Sequence, residues 1–272
     1  MRLLVLLLLL SQIAYASPVM QLQGIEKFSA PEQQKLKIWL EQSFHATNQL
    51  LGPYPFSTQV HLSSRIASEP VPWAYTQRFD KQQVFFQVDS SFALSDFQQD
   101  WTAAHEFSHL ALPLLDRDDL WFAEGFASFM QYQVLQLQQQ LAASPEFWYQ
   151  QKLQRVAPLL EQSQRPLVSQ LKLWLKQRQY KAAYWGSALF FIEADHLLQK
   201  QGTRLSQLIQ KYQQQNRMTD QNLPQLLSSL DSLADKAVFT PLWHRYQQQP
   251  GQRVWRQHPA FFSAHENLAN EK

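Results

Sequence analysis

Two histidines four residues apart, with a glutamate directly after the first, stand at His105-Glu106-Phe107-Ser108-His109. On an α-helix, residues i and i+4 share one face about a turn apart, so both imidazoles can close on one ion while Glu106 points alongside. Neutral imidazoles suit zinc, which in an open site lowers the pKa of water toward about 7. Glu106 is then the expected general base, taking a proton from water and passing it to a leaving amine. A third ligand is needed, and Trp121-Phe122-Ala123-Glu124-Gly125-Phe126 offers a carboxylate among aromatic and small residues, where an unpaired charge is costly. Glu124 is therefore the expected third ligand. Asp116, Asp118 and Asp119, in the connecting segment, are the alternatives and read better as solvated loop or helix-cap carboxylates. Ser128, one turn beyond Glu124, is a candidate hydrogen-bond partner for a ligand.

This chemistry requires a helix under the two histidines. Residues 96–112 repeat at helical period up to Pro113, and 31–51 form a leading amphipathic helix closed by Gly52-Pro53. Between them, 57–62, 73–79 and 83–88 are rich in branched and aromatic residues and bounded by turn formers, which predicts three strands. Helical period then dominates at 121–142, 145–160, 168–201, 205–214 and 224–246, the last broken before Pro241. The glutamines at 138–140 and 213–215 form the polar faces of these helices. The pattern predicts an α+β fold, with a small N-terminal mixed sheet and leading helix (17–95) and a mostly helical part (96–272) that carries the expected zinc ligands and catalytic residues. The cleft is expected between the two, with strand 83–88 offering its main chain to an extended peptide. His196 beside Asp195 and Glu193 lacks converging i, i+4 geometry and reads as structural.

With 272 residues, 45% hydrophobic and 13% aromatic, the chain can bury a full core, which excludes a disordered protein. Basic residues number 24 against 22 acidic ones, with no dense basic block, so nucleic acid is not an expected partner. The absence of cysteine excludes disulfides, thiolate ligands and a thiol nucleophile. Only 6 glycines occur, with no G-x-S-x-G elbow and no phosphate-binding loop. Met1-Arg2, an apolar run over 3–10 and Ala14-Tyr15-Ala16 have the form of a secretory signal peptide, with cleavage expected after Ala16. The run is too short to span a bilayer, so the mature chain is expected to be free of the membrane, in the bacterial periplasm or outside the cell.

Taken with Tyr184-Trp185-Gly186-Ser187-Ala188-Leu189, the H-E-F-S-H and W-F-A-E-G-F-A-S-F segments resemble the gluzincin metallopeptidases, in particular the catalytic domains of the aminopeptidase N and glycyl aminopeptidase families. The likeness spans roughly 105–198. It implies a zincin-like metallopeptidase fold, zinc on His105, His109 and Glu124, Glu106 as general base, a peptide or protein substrate, and a tyrosine that stabilises the oxyanion. The family's tyrosine stands three residues before a glycine, where this chain has Ala183, so the role falls to Tyr184 with Tyr180 in reserve. The G-x-M-E-N strand that grips a free amino terminus in aminopeptidase N relatives has no counterpart, since no glycine lies between Gly52 and Gly125.

The expected activity is zinc-dependent peptide-bond hydrolysis. The alternative is a non-catalytic zinc- or peptide-binding protein that keeps the peptidase fold, and retention of Glu106 argues against it, because a purely structural site has no use for a base. A zinc hydrolase acting on a non-peptide amide is the other rival.

Overall fold

A computed structural model describes residues 19–258. The expected signal peptide over 1–16 lies outside the described residues. Four strands, β1 (Met20–Gln23), β2 (Thr58–Ser64), β3 (Trp73–Arg78) and β4 (Gln82–Val88), form one sheet in the order β1-β2-β4-β3. β1, β2 and β4 run parallel, and β3 folds back antiparallel on β4 through the short connection 79–81, so the sheet is mixed. Alternation divides its faces. Val60, Leu62, Val84, Phe86 and Val88 are buried, while the rings of His61, Phe85 and Tyr75 stack across the other face at 4.3 and 4.7 Å.

The strand order corrects one expectation. β4 is paired on both sides, by β2 and β3, so it has no main-chain groups to offer a peptide. The open edge on this side of the sheet belongs to β3, which the hairpin places outermost. β1 was not foreseen, because four residues show too little alternation to stand out.

The inner face of the sheet packs on α1 (Ala30–Leu51), which starts where the Glu32 carboxylate accepts the Ser29 N–H at 2.8 Å. Trp39 of α1 meets Phe86 at 5.4 Å and Phe97 at 5.0 Å. Among the described residues ten further α-helices follow: α2 (Leu94–Gln99), α3 (Thr102–His109), α4 (Leu120–Leu137), α5 (Pro145–Glu161), α6 (Leu167–Lys176), α7 (Tyr180–Gln199), α8 (Leu205–Gln215), α9 (Leu223–Leu233), α10 (Phe239–Gln248) and α11 (Gly251–Gln257). A single apolar cluster runs from the sheet and α1 into this helical half. No helix among the described residues is long and apolar enough to cross a membrane.

Three expected helices are divided. The pattern over 96–112 breaks at Asp100 and Trp101, where the Asp100 carboxylate takes the Thr102 N–H at 2.8 Å and starts α3 afresh. The stretch 168–201 breaks around Arg178, whose φ of 58° no α-helix accommodates. In 224–246 the break falls at 234–238 and not before Pro241. Pro241 sits in the first turn of α10, where its missing N–H has no helical acceptor to lose, and Asp231 accepts the Val238, Phe239 and Thr240 N–H groups at 2.7, 2.7 and 3.0 Å. The helix expected over 121–142 ends early, at Leu137.

α4 and α7 pack closely because Gly125 permits it: a Cβ there would lie 2.7 Å from the Ser187 carbonyl carbon.

Candidate metal centre

Every residue of α3 is buried, so the helix carrying His105, Glu106 and His109 is fixed on all sides. The carbonyls at its C-terminal end and in the turn that follows, left without i+4 partners, are met by side chains from elsewhere. Tyr54 donates to Phe107 O at 2.6 Å, Arg78 Nη1 to His109 O at 2.7 Å and to Leu112 O, Arg217 Nε to Leu110 O at 2.8 Å, and Gln213 Nε2 to Ala111 O at 2.7 Å. Two guanidinium charges thus stand at the negative end of the helix, the favoured sign for that position. Burial, and then the charge of Arg217, pushes the Arg78 pKa down to about 9.

α4 lies alongside α3 and brings Glu124 to the histidine pair. Glu124 Oε2 is 3.3 Å from His105 Nε2 and 3.6 Å from His109 Nε2. One donor atom from each of the three residues falls within 4.8 Å of the others, and no other group of three or more His, Cys, Asp or Glu does so among the described residues. These spacings fit zinc, because donors about 2.1 Å from an ion at tetrahedral angles stand about 3.4 Å apart. Burial opposes the charge on Glu124, but the two imidazoles outweigh it and hold the carboxyl well below its usual range. Such a set is charged and desolvated without a cation of its own, the condition in which an ion binds.

The surrounding contacts orient the ligands. Gln131 Oε1 lies 3.0 Å from His105 Nδ1, a contact that places the proton on Nδ1 and leaves the Nε2 lone pair facing Glu124. Gln131 was missed from sequence, although it lies seven residues after Glu124 on the same face of α4. Ser128 is buried but makes no hydrogen bond to the three ligands among the described residues; Gln131 takes the place expected of it. Thr76 of β3 was also missed. Its hydroxyl is 2.8 Å from Glu106 Oε2 and 3.0 Å from Glu106 O.

Tyr184 stacks on His105 with ring centroids 5.9 Å apart, and Trp101 meets the same imidazole edge-on at 5.3 Å. Burial first, then the charges of Glu124 and Glu106, raise the Tyr184 pKa far above that of a free phenol, so it is a neutral donor. Tyr180 is exposed on the first turn of α7, 6.0 Å from the Tyr184 ring. Asp116 and Asp118 are exposed, and Asp119 faces Lys172 at 4.0 Å; none joins the histidines. Elsewhere, Asp195 accepts the Leu205 N–H at 2.8 Å at the start of α8 and Glu193 pairs with Arg245, which accounts for both carboxylates without a metal.

No known family profile matches the sequence, and no curated protein does. Among solved structures, the crystal structure of an M1 zinc metallopeptidase from Deinococcus radiodurans superposes with a TM-score of 0.53 at 16% identity, over 78% of this chain and 44% of that one. The chain therefore spans less than half the length of that enzyme. The likeness shows a shared fold, and His105, His109 and Glu124 form within it a cluster of the donor types that the sequence motif offers.

Proposed function

We propose that this protein is an exported zinc-dependent peptidase. The observation that carries the reading is the convergence of His105, His109 and Glu124 beside Glu106, on two packed helices of which α3 is buried throughout. His105, His109 and Glu124 would hold zinc, which would supply a Lewis acid for the scissile carbonyl and acidify water. Glu106 is the base that takes a proton from the attacking water and delivers it to the leaving amine, with Thr76 holding one of its oxygens. Tyr184 donates a hydrogen bond to the developing oxyanion and keeps its proton. The open edge of β3 pairs with an extended substrate through main-chain hydrogen bonds, a mode that asks little of the substrate's sequence.

The test is a mass-spectrometric digest of a diverse peptide library by the zinc-loaded protein beside Glu106→Gln. Cuts made only by the wild type are expected, with equal zinc in both proteins by elemental analysis; terminal or internal cut positions then assign exo- or endopeptidase. Equal cutting by Glu106→Gln overturns the mechanism, and uncut libraries from both favour the binding-protein reading. N-terminal sequencing of the exported protein is expected to begin at Ser17.

A further inference from the structure

A cavity of about 680 Å³ opens at the C-terminal end of α3, with Arg78 and Arg217 among its lining residues. Both guanidiniums are buried, at 8% and 7% exposure, and neither has an ion pair among the described residues. Arg78 gives one nitrogen to the His109 carbonyl at the end of α3 and Arg217 one to Leu110 just beyond it; the Arg217 guanidinium also lies 4.8 Å over the Phe56 ring, yet its Nη2 is buried without a hydrogen-bond partner. Burying two like charges side by side with donors unused is costly unless a counter-charge joins them. The cavity wall adds a second attraction for an anion. α9 begins there, with its N-cap Asn222 and first-turn Gln225 both lining the space, so the positive end of the helix dipole faces it. Phe79 and Leu114, 77% and 53% exposed, stand at the mouth and offer apolar contact. Asp80, Asp116 and Asp220 at the rim are exposed, where water and salt weaken their repulsion.

We propose that this cavity is a carboxylate-binding pocket, in which Arg217 and Arg78 hold the carboxylate and the apolar mouth takes the chain that carries it. Its floor is adjacent to the metal centre, since Arg78 donates to the carbonyl of His109. The carboxylate belongs either to an acidic residue of a peptide or to a free small acid. Only the first source rests on the peptidase reading; the pocket itself does not.

The probe is glutarate, titrated calorimetrically into the full-length mature protein carrying Glu106→Gln, with the neutral diamide of the same length as control. Saturable binding of glutarate alone is expected. Arg217→Gln should weaken it at least about tenfold, the value of one charge-assisted contact. Because Arg217 also caps α3, Gln225→Glu is the second variant: a glutamate keeps the bond that Gln225 Oε1 accepts from Asn222 N at 3.0 Å and adds a negative charge to the wall. It should weaken glutarate about tenfold, while Asp220→Asn should tighten it. No glutarate binding, or binding matched by the diamide or unmoved by Gln225→Glu, overturns the proposal. Peptide pairs differing only in Glu against Gln identify the source. A lower KM for the Glu peptides, lost in Gln225→Glu and competed by glutarate, assigns the pocket to substrate; glutarate binding without effect on cleavage assigns it to a free acid. Binding in a protein that cuts no peptide leaves the pocket standing and removes the peptidase reading.

Discussion

Thr76 on the sheet edge and Glu106 on α3 are joined twice, the threonine hydroxyl lying 2.8 Å from the carboxylate and 3.0 Å from the backbone carbonyl of the same residue. The hydroxyl has one proton, shared between Oε2 and the carbonyl oxygen, so the same donor holds the carboxylate and ties β3 to the helix. The Glu106 carboxylate and the open edge strand β3 are therefore positioned by a single side chain. Thr76→Val keeps the shape and removes the hydroxyl. Peptide hydrolysis should fall about 10–100-fold, the usual effect of losing an orienting contact, with zinc content unchanged. Loss of zinc, or unaltered kcat, would contradict this assignment.

Gln131 bears on His105 and not on Glu106. Its amide oxygen lies 3.0 Å from His105 Nδ1 and holds the ring in the tautomer that presents Nε2. Gln131→Leu leaves both imidazole nitrogens free to carry the proton, so zinc affinity measured against a competing chelator should drop about 10–100-fold. Gln131→Glu, which keeps an acceptor in place, should restore most of it. An affinity equal in all three proteins would show that Gln131 only fills space.

The parts of the site that sequence reveals are those set by local geometry. The His105–His109 spacing is a property of one helical turn, and Glu124 stands out because a carboxylate among Trp121, Phe122 and Phe126 needs a partner. Thr76 carries no such mark, since its place beside Glu106 follows from strand pairing, which is non-local. The same gap misplaced the substrate edge: residues 83–88 directly precede the helix region in sequence, yet the hairpin puts β3 outside them. Helix breaks at Asp100 and Arg178 escaped notice because apolar residues keep helical period across both, and only the backbone turn separates the halves.

His258 ties stability to pH. It is fully buried beside Glu193, Arg245 and His196, with Nε2 2.9 Å from Leu189 O, and burial pushes its pKa down to about 4. Unfolded, the ring binds a proton near pH 6.5, so between about 6.5 and 4 the unfolded chain binds more protons than the folded one. Stability should therefore fall as pH is lowered through that window, by up to about 3 kcal/mol from this group alone. Asp100 works in the opposite sense, because burial raises its pKa to about 6 and makes the folded chain the better proton binder between about 4 and 6. Denaturant unfolding at pH 7.5, 6.5, 5.5 and 4.5 should show a shallower acid loss in His258→Gln than in the wild type. Parallel curves would remove His258 as the cause.

Gly125 follows Glu124 directly and stands where α4 packs against Ser187 of α7. An added Cβ would sit 2.7 Å from both the carbonyl carbon and the Cβ of Ser187, and backbone does not yield as a flexible side chain does. Gly125→Ala should push the helices apart at the turn that holds Glu124, at a cost of about 2–3 kcal/mol in stability. Since the carboxylate moves with its helix, zinc affinity should weaken as well. Ser187→Gly, which removes one of the two clashing groups, should recover part of both losses when combined with it. Measured by unfolding and by chelator competition on the four proteins of that cycle, additive effects would show that the two helices do not meet at these residues.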